Sequence, residues 1–315
     1  MNFIFLMDPL ETVVMEKDTS FILMLGAHRR GHKIFYLGDG GITRKNGKFY
    51  FHVLEVVPQK MSARPFHVKK ALVLTEKDAD VFFVRSDPPF DQQYLFNTWL
   101  LDLLPKHISV INNPAGIRTV NEKIWATQFT SIIPKTLVGR HKNELLNFLK
   151  EEKDIVAKPT DGHGGQSVFR LKKGDTNTHV ILETLTERWT KDIILQKFVP
   201  QSKIGDKRIL LLNGEPLGAV LRVHAPDDHR NNFFAGGKAK PAVLTPHDRK
   251  IIEILKPKLR ALGLYFVGID IMGNDLIEVN VTSPTCLQEM NRLYRARLEE
   301  KVIALAEKLV DRLKK

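Results

Sequence analysis

In the first third of the chain, stretches of apolar residues with strand character alternate with stretches of helical periodicity. Residues 3–6 form a short apolar run typical of a buried strand. Residues 21–30 predict a helix, because Asp18 and the two hydroxyl residues after it offer capping oxygens and Gly31 can end it. Further strands are expected at 33–37, 80–85 and 107–111, a helix at 92–104, and a hairpin turn at Asn46-Gly47. This alternation predicts a parallel sheet covered by helices.

The pattern changes after residue 153, where short strands follow one another through turns. Strands are expected at 155–158, 168–171, 193–199 and 208–212, the last turning at Asn213-Gly214. The chain closes with an amphipathic helix whose apolar residues lie four, three, four and four positions apart: Leu298, Val302, Leu305, Leu309 and Leu313. Turn residues at 112–114 predict a boundary between an α/β first part and an α+β second part.

Composition narrows the class of protein. The chain has 315 residues, of which 43% are hydrophobic and 27% charged, as expected for a globular protein of about two domains. No apolar run approaches the roughly 20 residues needed to cross a bilayer, and residues 1–9 are typical of a strand and turn rather than a signal peptide. The single cysteine, Cys286, excludes an intrachain disulfide, so a reducing cytoplasm is the expected location.

The net charge of +12 favours anionic ligands, whether nucleic acid, membrane surface or small phosphorylated molecules. The basic residues are spread along the chain, and aromatic residues are not interleaved with them. We interpret most of the adjacent basic residues, such as Lys69-Lys70, as part of the solvated surface. We therefore expect no nucleic-acid partner and no membrane partner, and small anionic substrates remain.

Glycines cluster at residues 161–167, directly after a predicted strand that carries Lys158. Gly162, Gly164 and Gly165 allow the backbone to approach an anion closely and to point its N–H groups at phosphate oxygens. The spacing matches neither a Walker A motif nor a dinucleotide fingerprint. An ordinary glycine-rich hairpin is the alternative, and the adjacent lysine favours phosphate binding.

A second constellation lies in the predicted hairpin 268–281. Strand alternation puts Glu278 and Asn280 on one face, and a turn at 273–275 brings Asp270 opposite, within about a residue of Glu278. Hard oxygen ligands of this kind suit Mg²⁺ held together with nucleotide phosphates. An ordinary hairpin with an exposed polar face is the alternative.

Two further segments carry arginine. Residues 222–237 run from Arg222 through Arg230 to two glycines, a composition that suits a mobile active-site loop with fixed positive charge. A merely disordered surface loop is the alternative. Arg85 ends a predicted strand, where ligands of open α/β sheets bind, and is a candidate carboxylate binder.

Five segments together resemble bacterial glutathione synthetases of the ATP-grasp superfamily. They are Met-Asp-Pro at 7–9, Arg-Ser-Asp-Pro-Pro-Phe-Asp at 85–91, Asn-Glu-Lys at 121–123, Lys-Pro-Thr-Asp-Gly-His-Gly-Gly at 158–165, and Glu-Val-Asn-Val-Thr-Ser-Pro-Thr-Cys at 278–286. The resemblance implies an ATP-grasp fold with an N-terminal Rossmann-like parallel-sheet domain. It places this substrate domain at 1–120 and the ATP-grasp domain at 121–315, with a lid subdomain at about 121–200 and a C-terminal subdomain at about 201–315.

The resemblance also implies roles for individual residues, including a catalytic pair, Arg222 facing the transferred phosphoryl group and Arg230 on the loop. Binding of ATP is implied for Lys123, Lys158, Gly162, Gly164, Gly165, Gln196, Lys197, Phe198, Val199 and Lys207. Substrate contacts are implied for Arg85, Asp87, Arg208, Gly236 and Gly237. A metal ion, Mg²⁺ or Mn²⁺, would be held by Asp270, Glu278 and Asn280.

The chain departs from the family at two places that remove no implied ligand. Asp227-Asp228-His229 stands where the mobile loop usually has glycines, and His163 stands where Met is common. We expect residues 225–240 to form a lid that closes over bound substrates.

The implied reaction joins glycine to γ-glutamylcysteine with ATP as cosubstrate, through an acyl phosphate, in a cytoplasmic homotetramer. Phosphoryl transfer needs charge neutralisation and alignment rather than a protein nucleophile, which agrees with the lysines, arginines and oxygen ligands and leaves Cys286 a structural role. A related carboxylate–amine ligase is the main alternative. A non-catalytic relative would have lost a lysine or a metal ligand, and a nucleic-acid binder would rest on charge alone.

Overall fold

The computed structural model describes residues 1–61, 63–162, 164–223 and 238–314. Its first part is a seven-stranded sheet of β1 (Asn2–Leu6), β2 (Lys33–Leu37), β3 (Ile42–Lys45), β4 (Lys48–Pro58), β5 (Phe66–Thr75), β6 (Val81–Val84) and β7 (Ser109–Ile111). The strands β2-β1-β6-β7 are parallel neighbours, whereas β3, β4 and β5 extend the sheet by antiparallel pairing. The expected parallel sheet is therefore present, with an antiparallel extension at one edge.

The helices of this part begin where side chains cap them. Asp18 accepts the Phe21 N–H at 2.6 Å and starts α1 (Thr19–Arg29). Asp91 accepts the Tyr94 N–H at 2.8 Å and starts α2 (Gln92–Asp102). Asn113 caps the short α3 (Pro114–Thr119), which has proline in its first turn. Arg85, directly after β6, donates from Nε to the Ser20 hydroxyl at 3.0 Å, so the start of α1 lies beside the carboxyl end of β6.

The next 80 residues form a four-stranded antiparallel sheet. Its strands are β8 (Thr136–Gly139), β9 (Asp154–Pro159), β10 (Phe169–Lys172) and β11 (Ile193–Lys197), in the order β10-β9-β11-β8. Two helices, α4 (Lys142–Glu152) and α5 (Thr178–Leu185), cover it through a core of its own that includes Leu145, Ile155 and Leu195. This separate core identifies the segment as a compact layer.

A five-stranded antiparallel sheet follows, built from β12 (Asp206–Leu212), β13 (Glu215–Val223), β14 (Lys238–Pro241), β15 (Phe266–Met272) and β16 (Asp275–Asn280), in the order β14-β13-β12-β15-β16. The helices of this part are α6 (Pro246–Ala261), α7 (Leu287–Tyr294) and α8 (Leu298–Leu313). The predicted terminal helix is confirmed as α8. It buries Leu298, Val302 and Leu309, while Leu313 is exposed.

One asparagine ties the first sheet to the last. Asn112, directly after β7, donates to the carbonyl oxygens of Phe266 and Val281 at 2.7 and 2.8 Å and accepts the Phe266 N–H at 2.7 Å. All of these atoms are buried, so each bond satisfies a backbone group that water does not reach. The N-terminal part is thereby fixed to β15 and to the end of β16. Among the described residues, every helix is too short or too polar to span a bilayer.

Candidate active site

The hairpin of β15 and β16 has the register that the sequence predicts. Asp270 lies opposite Glu278, and Asn280 lies opposite Gly268. Asp270 and Asn280 are buried, while a quarter of the Glu278 side chain remains accessible. The three oxygen-bearing side chains therefore share one face of the hairpin, and the buried apolar residues Ile269 and Val279 alternate with them.

Asp270 is held by two arginines. Arg208, its cross-strand partner on β12, donates two hydrogen bonds to the carboxylate, and the bond from Nη2 is 2.7 Å long. Arg222 reaches the same carboxylate at 2.8 Å and also pairs with Asp206, whose Oδ1 accepts from Nε at 2.9 Å. Burial by itself would raise the pKa of Asp270, but the two guanidinium groups outweigh it and hold the pKa well below its usual range.

The four charged residues of this network, Asp206, Arg208, Arg222 and Asp270, are all at least nine-tenths buried. Burial raises the pKa of Asp206, and Arg222 opposes that rise. A buried charge without a partner costs several kcal/mol, so the two pairs depend on each other. The network places two guanidinium groups beside the predicted metal ligand Asp270.

Two lysines enter the same region from the four-stranded sheet and the segment before it. The Lys123 ammonium lies 3.6 Å from Glu278 and donates to the carbonyl oxygen of Gly162. Lys158, at the end of β9, donates to the Gln196 side chain at 3.3 Å. Burial lowers the pKa of Lys158, opposed in part by the negative charge of Glu278. Both lysines thus lie near the carboxylates of the β15–β16 hairpin, where the two antiparallel sheets approach each other.

Glu122 belongs to this site although the sequence argument assigned it no role. It accepts the Thr282 hydroxyl at 2.8 Å, and its backbone carbonyl accepts the Val279 N–H at 2.9 Å. When the Asn280 amide is oriented to satisfy both of its ends, its nitrogen donates to Glu122 at 3.3 Å and its oxygen accepts from Arg208 at 3.3 Å. Burial and the nearby Glu278 raise the pKa of Glu122. Its place between Asn121 and Lys123, in the Asn-Glu-Lys segment that resembles the family, is the sequence feature that points to it.

The donor set fits a divalent cation that also contacts phosphate. In the described ranges, no three His, Cys, Asp or Glu side chains lie close enough together to hold a metal ion alone. Asp270, Glu278 and Asn280 supply two carboxylates and one amide oxygen, which suits Mg²⁺ because this ion keeps several coordination positions for water and phosphate. These residues therefore fit the implied ion as partial ligands.

The predicted nucleotide hinge lies at the end of β11. Gln196 donates to the Thr136 hydroxyl at 2.9 Å, and Val199 is buried. The Phe198 ring is covered by the Arg170 guanidinium at 3.6 Å, and the Lys197 ammonium lies 3.2 Å from Glu152. Because Arg170 covers the Phe198 ring and Glu152 pairs with Lys197, only part of the hinge surface is open to a ligand.

Lys207 lies on the face of β12 opposite to Asp206 and Arg208. Its ammonium donates to Asp248 at 2.5 Å and to the Val243 carbonyl at 3.1 Å, at the capped start of α6. Lys207 was predicted to contact ATP, and in this structure its ammonium is paired with Asp248. Its role at the nucleotide stays a prediction.

The candidate substrate residue Arg85 is buried directly after β6, and its Nε donates to the Ser20 hydroxyl at 3.0 Å. The backbone N–H of Asp87 is accepted by Asp8 at 2.8 Å. Gly164 and Gly165 have positive φ values of 60° and 74°, which glycine adopts without strain. Cys286 is buried, in agreement with a structural role. Three predicted site residues, Arg230, Gly236 and Gly237, lie outside the described residues, as do His163, Asp227-Asp228-His229 and most of the expected lid at 225–240.

The sequence of this chain matches two family models. Residues 1–118 match the prokaryotic glutathione synthetase N-terminal domain, and residues 122–295 match the prokaryotic glutathione synthetase ATP-grasp domain. The chain belongs to the prokaryotic glutathione synthetase family. As a member of that family it is an ATP-grasp ligase that forms glutathione with ATP, and the family depends on a divalent metal ion.

Relatives agree with this membership over nearly the whole length. A glutathione synthetase of Pseudomonas aeruginosa is 38% identical over 309 residues, covering 97% of this chain and 98% of the relative. A glutathione synthetase of Escherichia coli K12 is 40% identical over 286 residues, covering 90% of each chain. Among solved structures, a D-cycloserine synthetase has a TM-score of 0.68 at 15% identity, covering 98% of this chain and 99% of that chain, and supports the fold alone.

Proposed function

We propose that the cleft between the two antiparallel sheets holds ATP and the cysteinyl carboxylate of γ-glutamylcysteine, which the chain joins to glycine. The observation that carries the proposal is the convergence of Lys123 and Lys158 on Glu278 and Asp270, with two arginines behind them. Anionic phosphates bind most strongly where several cations are fixed in a partly dry cleft. The 38% and 40% identities to glutathione synthetases support the choice of substrates.

The reaction proceeds in two steps. A carboxylate oxygen of the cysteinyl residue attacks the γ-phosphorus of ATP, ADP leaves, and an acyl phosphate forms. The glycine amine then attacks the acyl carbon, and phosphate leaves with the oxygen that made the first attack. Neither step needs a protein nucleophile, because the enzyme supplies alignment and charge neutralisation.

We assign each described site residue a role in this reaction from its position. Lys123 and Lys158 neutralise the ATP phosphates, and Gln196 to Val199 contact the base. We assign Arg222 to the charge of the transferred phosphoryl group and Arg208 to substrate binding, and Asp206 holds Arg222 in place. Asp270, Glu278 and Asn280 would hold the divalent ion, for which we propose Mg²⁺ with Mn²⁺ as a substitute, and which would supply further positive charge at the phosphates. A homotetrameric assembly and a cytoplasmic location stay predictions.

Release of ADP from ATP, Mg²⁺ and γ-glutamylcysteine, measured with and without glycine, tests the proposal. We expect glycine-dependent release and one glutathione for each ADP. With ¹⁸O in the cysteinyl carboxylate, one labelled oxygen should appear in the released phosphate. Glutathione formation without transfer of label would contradict the acyl phosphate. ADP release that requires a different carboxylate in place of γ-glutamylcysteine would instead indicate a related ligase.

A further inference from the structure

Glu122 lies next to the predicted metal ligands, and the proposed reaction gives it no task. Its partly buried side chain accepts the Thr282 hydroxyl at 2.8 Å. Its backbone carbonyl accepts the Val279 N–H at 2.9 Å. These two bonds hold the carboxylate against the end of β16, beside the side-chain amide of Asn280.

The amide of Asn280 has two orientations of the same shape. In the first, its nitrogen donates to Glu122 Oε2 and its oxygen accepts from Arg208 Nη2, each at 3.3 Å. In the second, the nitrogen approaches the Gly268 carbonyl at 3.3 Å and Asp270 at 3.5 Å. The oxygen then faces the Glu122 carboxylate, and the nitrogen also faces the Arg208 guanidinium. Both of these contacts are repulsive, so Glu122 and Arg208 favour the first orientation.

The two orientations differ in what they offer a cation. A metal ion binds an amide through its oxygen, whereas the NH₂ group only donates. In the first orientation, the amide atom that lies 3.5 Å from Asp270 Oδ2 is the oxygen, and this pair of oxygen atoms suits a shared cation. In the second orientation, an N–H group of Asn280 occupies that place. Asn280 therefore serves the ion only when its NH₂ group is held on the other side, at Glu122.

We propose that Glu122 is a positioning residue for the divalent ion, because its carboxylate holds the NH₂ group of Asn280 and so turns the amide oxygen towards Asp270. Thr282 supports this role by holding the Glu122 carboxylate. The inference rests on the proposed function, since it takes Asp270 and Asn280 as ligands of the ion used in that reaction. Glu122 acts through Asn280 and not on the substrates.

The affinity for Mn²⁺ in the presence of saturating ADP measures this effect without turnover. Electron paramagnetic resonance gives the concentration of free Mn²⁺ for the wild type, Glu122→Leu and Glu122→Gln. Leucine is similar in size to glutamate but has no acceptor, whereas glutamine keeps an oxygen that accepts from Asn280. Removal of a group that orients a metal ligand weakens metal binding by about 10- to 100-fold. We expect this loss in Glu122→Leu and an affinity close to the wild type in Glu122→Gln.

The same substitution in an Asn280→Asp background separates amide orientation from packing. A carboxylate has oxygen at both ends, so no partner is needed to turn an oxygen towards the ion. Glu122→Leu should therefore leave the Mn²⁺ affinity of Asn280→Asp unchanged or raise it, because it also removes a negative charge beside the new carboxylate. Glu183→Leu, at an exposed position of α5, is the matched control and should change neither protein. Circular dichroism and ADP affinity without metal ion report on the fold.

Equal weakening by Glu122→Leu in both backgrounds would overturn the proposal, since Glu122 would then act as a ligand itself or through packing. Wild-type affinity for Mn²⁺ in Glu122→Leu alone would overturn it as well. A failure of the proposed function gives a different result, in which the wild type binds ADP without taking up Mn²⁺ or releases no ADP with peptide and glycine.

Discussion

The Lys123 ammonium lies 3.6 Å from a carboxylate oxygen of Glu278, although the two residues are far apart in the sequence and belong to different layers of the fold. The contact joins a proposed phosphate ligand to a proposed metal ligand. From the same position the Lys123 ammonium also donates to the carbonyl oxygen of Gly162 in the glycine-rich segment. Substitutions at either end of this contact test different parts of the site.

Glu278→Gln should abolish turnover while leaving the fold intact. The substitution keeps the size of the side chain but removes one of the two carboxylates that fit the divalent ion, so kcat should fall by about 100-fold or more. Circular dichroism and steady-state kinetics at ordinary Mg²⁺ concentrations measure the two effects. Glu183→Gln, at an exposed position, is the control. Activity close to wild type in Glu278→Gln would remove Glu278 from the metal site.

Lys123→Ala and Lys158→Ala should each weaken ATP binding by about tenfold or more, because each removes a charge-assisted contact with phosphate. Calorimetric titration with a non-hydrolysable ATP analogue and Mg²⁺ gives the affinities directly. Lys150→Ala, on the exposed side of α4, should leave the Kd unchanged. If both active-site variants bound the nucleotide like the wild type, ATP would not lie between these lysines.

ATP affinity should fall at alkaline pH before an ordinary lysine titrates. Burial lowers the pKa of Lys158 below that of an ordinary lysine, whereas bound phosphate favours the charged form and raises the pKa again. Between the free and bound pKa values, binding therefore takes up a proton, and affinity decreases as pH rises. Lys158→Arg should move this decrease to higher pH, as calorimetry between neutral pH and the lysine range will show. An identical pH profile for the two proteins would assign the titration to another group.

Asn112→Ala should destabilise the protein by about 3 kcal/mol, because it leaves the Phe266 N–H and two backbone carbonyl groups buried without a partner. The midpoint of urea unfolding measures the loss, and Asn143→Ala at an exposed position of α4 is the control. Equal midpoints for the two variants would show that water replaces the lost bonds at this junction.

Local signals predicted much of this architecture. The Asn46-Gly47 turn was predicted from its dipeptide, and both residues have the positive φ values, 50° and 82°, that such a turn needs. The register that opposes Asp270 to Glu278 followed from strand alternation and a short turn. The terminal helix followed from its apolar spacing. In each case the information lies within about 15 residues of sequence.

Other features depend on contacts that a sequence pattern does not contain. The strand β5 was missed because its outward face is polar and exposed, and its pairing with β4 defines it. The predicted strand at 208–212 began two residues too late, which concealed that Asp206 shares a face with Arg208. Pairing of Asp270 with two arginines more than 45 positions away arises only when β12, β13 and β15 are assembled.

The shared carboxylate of Asp270 has a consequence for the order of events in the cleft. A cation that takes this carboxylate leaves Arg208 and Arg222 with less negative charge nearby, and an anion that takes the arginines leaves Asp270 with less positive charge. The metal ion competes with the arginines for Asp270, and phosphate competes with Asp270 for the arginines. Binding of either one therefore frees the partner of the other, so metal ion and phosphate should each raise the affinity for the other. Substrate binding at this site therefore exchanges the ion pairs of Asp270 with Arg208 and Arg222 for new ones, and the number of charges in contact changes little.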